Sequence, residues 1–269
     1  MMRYLLLTLG LIFVFSGNGW ALDAWDSAIS NWDDTATMTE NVLYHTSPWQ
    51  RHDLQAKSGA SVPDQDWYIV YTEQYRSYEV QVVNTDGDIN ISVSSDVGRY
   101  NSDGSIKLQD AGYLTPEISN LRGVRWISTG NNKETIAVKD WHISTPPTHI
   151  YDIKLFETTL FCPRFNNAGT QVSVIILQAA ARAFENCYYK INFFDESGYF
   201  IYEVGSNFGP IWGADVDVIP LSSVPPLQGK KGSARIAHEC GYGGIMAKLV
   251  SLEPSTGFSF DTPCTYLPR

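Results

Sequence analysis

The sequence predicts an all-β protein built from two β-sandwich domains in tandem, of jelly-roll or immunoglobulin-like type, after a cleaved signal peptide. Three observations predict this class. The 269-residue chain contains many short segments in which apolar and polar residues alternate, and a period of two places one strand face on a core and the other in water. Turn-forming residues separate these segments. The best helix candidate, AAARAFE at 179–185, is too short to organise the fold.

The first 21 residues have the order of a secretory signal peptide. Arg3 supplies a positive start, residues 4–15 are almost wholly apolar, and GWA offers small-residue cleavage after Ala21. The apolar run is short for a membrane span, which needs roughly 20 residues. We therefore expect export of a mature chain with no stable membrane span. The expected address is extracellular or the cell surface, with the periplasm as an alternative.

The charge balance argues against one class of partner. The formal net charge is −10, and loss of Arg3 with the signal peptide makes it −11. An acidic chain lacks the positive surface on which nucleic-acid binding depends. We expect no nucleic-acid partner.

The first domain is predicted over residues 22–145. Its clearest strands are DWYIVYT, SYEVQVVN and DINISVSS, within residues 64–95. Asp-Gly in the turn 85–88 tolerates positive φ and suits a hairpin. Further along, VRWISTGNNKETIAVKDWHI predicts two strands around Gly130–Asn132.

A boundary between the domains is predicted where STPPTHIYD interrupts the alternation. Paired prolines, Pro146 and Pro147, favour an extended link. We assign residues 146–152 to a linker and 153–269 to the second sandwich.

The second domain resumes the short-strand pattern. QVSVIILQAA, nearly continuous in apolar residues, predicts a strand buried on both faces. Further strands are predicted in CYYKINFF, YFIYEVG, ADVDVIPL, GSARIAHE, GIMAKLVSLE and FSFDTP, and GYGG at 241–244 predicts a hairpin turn.

Four cysteines lie in this second half, and their number is even: Cys162, Cys187, Cys240 and Cys264. In an exported chain they predict two disulfides, because the compartment favours oxidation. No Cys/His cluster has zinc-binding spacing. Three pairings are open.

Both halves resemble exported bacterial modules. The span from DQDWYIVYTEQYRSYEVQVVNTDGDINISVSS through VRWISTGNNKETIAVKDWHI resembles the bacterial pre-peptidase C-terminal domain over residues 30–143. That resemblance implies a small β-sandwich of a kind often appended to secreted enzymes. Some members bind polysaccharide or matrix protein, and some carry calcium. FCPRFNN, FFDESG, LQGKKGSARI and YGGIMAKLVSLEPSTGFSFDTP resemble an uncharacterised β-rich module of exported bacterial proteins over residues 155–263.

Catalytic patterns are weak, so we expect no enzyme. The chain has no GxSxG motif. Ser233, His238 and Asp261 could form a triad only by chance, since nothing in the sequence fixes their geometry. The acidic residues fall mainly at turns, where turn chemistry explains them.

One oxygen-rich segment could hold calcium, and no other cofactor is expected. Asp86, Asp88 and Asn90 give the DxDxN start of a calcium loop, but Ile91 stands where an EF-hand requires glycine. A structural calcium bound by these residues with Asp66 is one interpretation. A plain hairpin turn is the other.

Three tryptophans are the candidate binding residues. Trp25, Trp32 and Trp49 lie outside regular strand patterns, whereas Trp67 and Trp126 lie within strands and are expected in the core. Exposed aromatic faces can stack on sugar rings or anchor a protein partner. Alternatively, the three tryptophans pack the N-terminal segment against the sandwich.

The sequence therefore predicts an exported, non-catalytic binding or adhesion protein that recognises polysaccharide or a cell-surface protein. A structural subunit of an extracellular filament or envelope assembly is the first alternative, because exposed strand edges permit self-assembly. A small secreted hydrolase is the second alternative.

Overall fold

A computed structural model describes most of the chain. The described residues are 39–54, 65–84, 95–100, 106–110, 121–140, 149–179, 188–205 and 215–268. The predicted signal peptide, the 85–88 turn and the 179–185 helix candidate, apart from Ala179, lie outside them.

The first half forms two antiparallel four-stranded sheets. One has the order β1–β8–β3–β6 and the other the order β2–β7–β4–β5. The strands are β1 (Gln50–Leu54), β2 (Gln65–Thr72), β3 (Ser77–Asn84), β4 (Ser95–Tyr100), β5 (Ile106–Asp110), β6 (Leu121–Ile127), β7 (Asn132–Asp140) and β8 (His149–Glu157).

The second half also forms two antiparallel sheets, of order β13–β10–β15–β16 and β12–β11–β14–β9–β17. Short 3-10 helices span Leu221–Ser223 and Pro225–Leu227. The strands are β9 (Leu160–Asn166), β10 (Val172–Ala179), β11 (Tyr189–Asp195), β12 (Phe200–Gly205), β13 (Val216–Pro220), β14 (Lys231–His238), β15 (Ile245–Glu253), β16 (Phe258–Pro263) and β17 (Thr265–Tyr266).

Each half has its own hydrophobic core. The first core includes Tyr68, Trp126 and Ile153, and the second includes Phe165 and Phe193. Each core draws on strands of both sheets of its own half, which is the arrangement of a sandwich. The predicted all-β sandwich class is confirmed, and Trp67 and Trp126 are buried as expected.

The boundary between the sandwiches lies later than predicted. Residues 149–152, assigned to a linker, are the first part of β8, which pairs with both β1 and β3 in the first half. Tyr151 and Ile153 are buried in the first core. The crossing is therefore the short connection between Glu157 and Leu160. Pro146 and Pro147 lie outside the described residues, and the pairing of β8 with β1 and β3 assigns this strand to the first sandwich.

Two local predictions in the second half are wrong. Along β10 only alternate residues are buried, and Val174 and Ile176, on the opposite face of the strand, are half-buried. The Gly241–Gly244 turn joins β14 to β15, which lie in different sheets, so it is a connection between layers and not a hairpin.

One predicted disulfide is present in the described structure. Cys162 on β9 is bonded to Cys264, which directly precedes β17, and the two are 102 residues apart in sequence. Cys240 is also disulfide-bonded. Cys187 lies outside the described residues.

Candidate functional site

Only two of the predicted site residues besides the cysteines can be placed. Trp49 and Asp66 are described, whereas Trp25, Trp32, Asp86, Asp88 and Asn90 lie outside the described residues. Each of the two predicted sites, aromatic and calcium, is therefore represented by one described residue.

Trp49 immediately precedes β1, the edge strand of the sheet β1–β8–β3–β6. Its side chain is 40% exposed. The indole packs edge-on against the buried ring of Phe156, with ring centroids 6.0 Å apart. Because Phe156 holds one side of the indole, Trp49 is an oriented aromatic surface that is still open to solvent.

Polar side chains flank Trp49 on the same outer face of the sheet. Arg51 bonds Asp152 across the β1–β8 pair, with Nε 3.1 Å from Oδ1. The Lys154 ammonium lies 5.1 Å from the centroid of the Phe156 ring. Neighbouring strands are about 4.8 Å apart, and these groups belong to the same β1–β8 pair that carries Phe156, the ring against which the indole packs. An aromatic platform with adjacent donors and acceptors can stack on a ring and bind its polar substituents. We call Trp49, Arg51, Asp152, Lys154 and Phe156 the Trp49 face.

Aromatic contacts continue from this face into the second sandwich. Phe156 lies 5.8 Å from Tyr242, which lies 4.8 Å from Tyr266, between ring centroids. His45 stacks on Tyr242 at 6.3 Å, and its Nε2 donates to the carbonyl of Pro268. The Trp49 face is thus braced against the second sandwich and the end of the chain.

A buried carboxylate fixes the two sandwiches together beside these rings. Glu79 on β3 is 1% exposed. It accepts hydrogen bonds from Arg125 Nε at 3.2 Å, within the first sandwich, and from the backbone N–H of Tyr242 at 2.8 Å, in the second. Gly241 is required here, because its φ is +78° and a Cβ would lie 2.8 Å from the Arg125 guanidinium. The sequence does not identify this contact, since its partners are 163 residues apart.

Asp66 is buried on β2, next to the first core. It is not in a turn where it could bind calcium together with other loop residues. It is 4% exposed and accepts a hydrogen bond from the Tyr151 hydroxyl, which also bonds the Tyr68 hydroxyl at 2.6 Å. Burial, then the Asp66 charge, raises the pKa of Tyr151 well above its usual value. In the part of the chain that the structure describes, no three His, Cys, Asp or Glu side chains are grouped to hold a metal ion.

His238 forms hydrogen bonds with Cys240 and Tyr266, neither of which belongs to the Ser233, His238 and Asp261 set considered above. Its Nδ1 accepts the Cys240 N–H at 3.2 Å, and its Nε2 lies 3.1 Å from the Tyr266 hydroxyl. Asp261 is paired with Lys248 at 2.8 Å. Burial lowers the pKa of His238 to about 3. The histidine is therefore a neutral group of the core next to the boundary between the sandwiches.

Comparisons with known proteins leave the family of this chain open. No protein-family model and no curated protein matches the sequence. A search of solved structures returned a chain from the crystal structure of the T13 IBDV viral particle, with 9% identity and a TM-score of 0.17, covering 81% of this chain and 68% of that one. At that score the likeness supports no conclusion about fold or function. Within the described residues, no helix has the length and apolarity needed to cross a membrane.

Proposed function

We propose that this is an exported, non-catalytic binding protein of bacterial type that uses the Trp49 face to recognise a polysaccharide or a cell-surface protein. The single observation that supports it most is the exposed indole of Trp49, held edge-on by Phe156 and flanked by Arg51, Asp152 and Lys154. Aromatic side chains in such settings dominate recognition of sugars and protein partners.

The rigid connection to the second sandwich also supports the proposal. Binding is stronger when the surface needs no ordering on contact. Phe156 is packed against Tyr242, and the Glu79–Tyr242 hydrogen bond holds the same connection. The face is preorganised by contacts between domains.

A glycan array and a pull-down of surface proteins, run in parallel with Trp49→Ala, test the proposal. A stacking tryptophan at the centre of a site contributes about 1.4 kcal/mol or more, which is about tenfold in Kd. Tyr71→Ala is the matched control, because Tyr71 is an aromatic residue 56% exposed on the other sheet of the same sandwich. Equal binding by both variants would contradict a role for Trp49, and turnover in a hydrolase screen would contradict the non-catalytic assignment.

A second candidate function, a subunit of an extracellular assembly, is favoured by an apolar face on the second sandwich. Val216, Val218 and Met246 are each more than half exposed. The register places Val218, Ile176 and Lys248 in one row of that face. Association of copies through this face would bury it.

Sedimentation velocity across a wide concentration range separates the two candidates. A subunit should associate, and Val218→Glu should abolish association while Tyr71→Glu should not. A native protein that stays monomeric throughout would exclude assembly through this face.

A further inference from the structure

The guanidinium of Arg235, on the second sandwich, contacts aromatic rings but no polar group of the described chain. Arg235 on β14 is partly buried, and its Cζ lies 4.7 Å from the Phe194 ring centroid and 5.8 Å from that of Phe161. Across the residues that the structure describes, Arg235 makes no hydrogen bond or ion pair. An arginine held by cation–π contacts without an acceptor keeps N–H donors for one.

The nearby carboxylates form ion pairs with other cations. Arg76 Nη1 lies 3.0 and 2.8 Å from the two carboxylate oxygens of Glu157, and its Nη2 lies 2.6 Å from Glu73. Glu203 is paired with Lys190 at 3.1 Å. Arg235 is therefore left beside carboxylates that already have cationic partners.

Leaving this cation unpaired is unfavourable. Burial, then the neighbouring charge of Arg76, lowers the pKa of Arg235. Arg76 lies over the same Phe161 ring, 5.6 Å from its centroid. Arg76 and Arg235 thus both lie over the Phe161 ring, and Arg235 has no anionic partner among the described residues. A negative charge added next to Arg235 would therefore be stabilised.

Unsatisfied polar atoms lie in the same region. Asn192 is directly opposite Arg235 in the β11–β14 register, and its Oδ1 is buried without a donor. The Nε of Arg76 is likewise buried without an acceptor. Buried polar atoms of this kind are few in native proteins and call for an explanation.

An exposed aromatic ring, Phe200, is connected to the guanidinium through the ring of Phe194. The Phe194 ring under Arg235 lies 6.1 Å from Phe200, which is 44% exposed. Phe200 is itself held by Tyr75 of the first sandwich, whose ring is parallel to it at 4.8 Å. Arg235, Phe194 and Phe200 therefore follow one another in a row, and a ligand bound at Arg235 could reach along it to the fixed ring of Phe200.

We propose that Arg235 and Phe200 form a second binding site, for a ligand in which a ring carries one carboxylate. The carboxylate would accept two N–H groups of Arg235 in the fork geometry, and the ring would lie against Phe200. This site is separate from the Trp49 face and does not depend on it.

The charge of the protein favours a single carboxylate over a polyanion. The formal net charge of −10 repels a densely charged polymer at long range, whereas one carboxylate is governed by the contacts within the site. Two sources share this chemistry: a sugar acid and an aromatic acid.

The test uses four small probes with the full-length mature protein, observed by NMR. Methyl glucuronide and benzoate represent the two sources, and methyl glucoside and benzyl alcohol are their neutral counterparts. We expect one acid or both to shift the Nε–H resonance of Arg235 in a saturable way and the neutral probes to leave it unchanged. If only one acid binds, it identifies the source, and if both bind, the acid with the lower Kd does.

Variants assign the binding to the guanidinium. Arg235→Gln should weaken binding of the acid at least tenfold, and Arg235→Lys, which keeps the charge but not the planar fork, should lie between it and the native protein. Arg164→Gln is the matched control, because Arg164 is an exposed arginine on β9 of the same sheet. Trp49→Ala should bind as the native protein does, which separates this proposal from the preceding one.

Three results would overturn the proposal: no saturable binding of either acid, equal binding of acid and neutral probe, or Arg235→Gln and Arg164→Gln having the same effect. Loss of binding in both Arg235→Gln and Arg235→Lys, with an unchanged spectrum elsewhere, would still support it.

Discussion

The backbone N–H of Tyr242, in the second sandwich, donates to the carboxylate of Glu79, in the first, over 2.8 Å. Arg125 holds the same carboxylate from within the first sandwich, at 3.2 Å. A buried anion is therefore among the contacts that join two modules with separate cores, and this bond lies directly beside the aromatic contacts that support Trp49.

Glu79→Gln should destabilise the protein and loosen the connection between the sandwiches. The substitution removes the Glu79 charge from beside Arg125. Breaking a fully buried pair costs about 3–5 kcal/mol, and the cost is smaller here because Arg125 retains some exposure. Urea unfolding should show a lower midpoint, with the transition broadening or splitting as the domains uncouple.

Glu196→Gln is the control for that experiment. Glu196 pairs with Lys231 at 2.9 Å, but both side chains are more than half exposed, so its loss should change the free energy of unfolding by less than about 1 kcal/mol. Equal effects of the two substitutions would mean that the Glu79 contact is not a structural connection.

Stability should fall on acidification because of His238. Burial holds its folded pKa at about 3, below the ordinary value of 6.5, so between these pH values the unfolded chain binds a proton that the folded protein excludes. The free energy of unfolding therefore decreases as pH falls below 6.5, by about 1.4 kcal/mol per pH unit from this group.

Urea titrations from pH 8 to pH 5 measure this slope, and His238→Gln should remove about 2 kcal/mol of the decrease across that range. The comparison uses slopes, so a general loss of stability in the variant does not obscure it. Parallel curves for the two proteins would contradict the assignment of His238 as a buried neutral group.

Removing the Cys162–Cys264 disulfide should strongly destabilise the second sandwich. The bond closes a loop with a sequence separation of 102, and restricting an unfolded chain over about 100 residues contributes roughly 4–5 kcal/mol in the chain-entropy account. The double variant Cys162→Ala, Cys264→Ala leaves no unpaired thiol from this bond, and its thermal unfolding measures the loss. An unchanged midpoint would contradict the prediction.

The second disulfide should join Cys187 and Cys240. Cys240 is disulfide-bonded, Cys162 and Cys264 are bonded to each other, and the chain contains four cysteines. Non-reducing peptide mapping of the mature protein should therefore recover a peptide pair containing residues 187 and 240 and detect no free thiol. Free thiol at Cys187 would contradict this pairing.

The strands were predictable because alternation is a local signal. SYEVQVVN and NKETIAVKD place every second side chain toward a core, and the structure has strands at both. The same signal failed in QVSVIILQAA, because apolar residues on both faces cannot reveal whether a second layer covers the outer face. Paired prolines likewise indicate extended chain, but not that β8 joins the sheet of β1 and β3.

Side-chain period and turn residues were sufficient to indicate an all-β chain of two sandwiches, since both depend on residues a few positions apart. Three long-range contacts join residues about 100 or more positions apart in the sequence: Glu79 with Tyr242, Cys162 with Cys264, and Trp49 with Phe156. Such contacts form when whole sheets are packed, because the free energy of burial depends on which faces meet. Neither composition nor spacing along the chain specifies which sheet faces pack against each other.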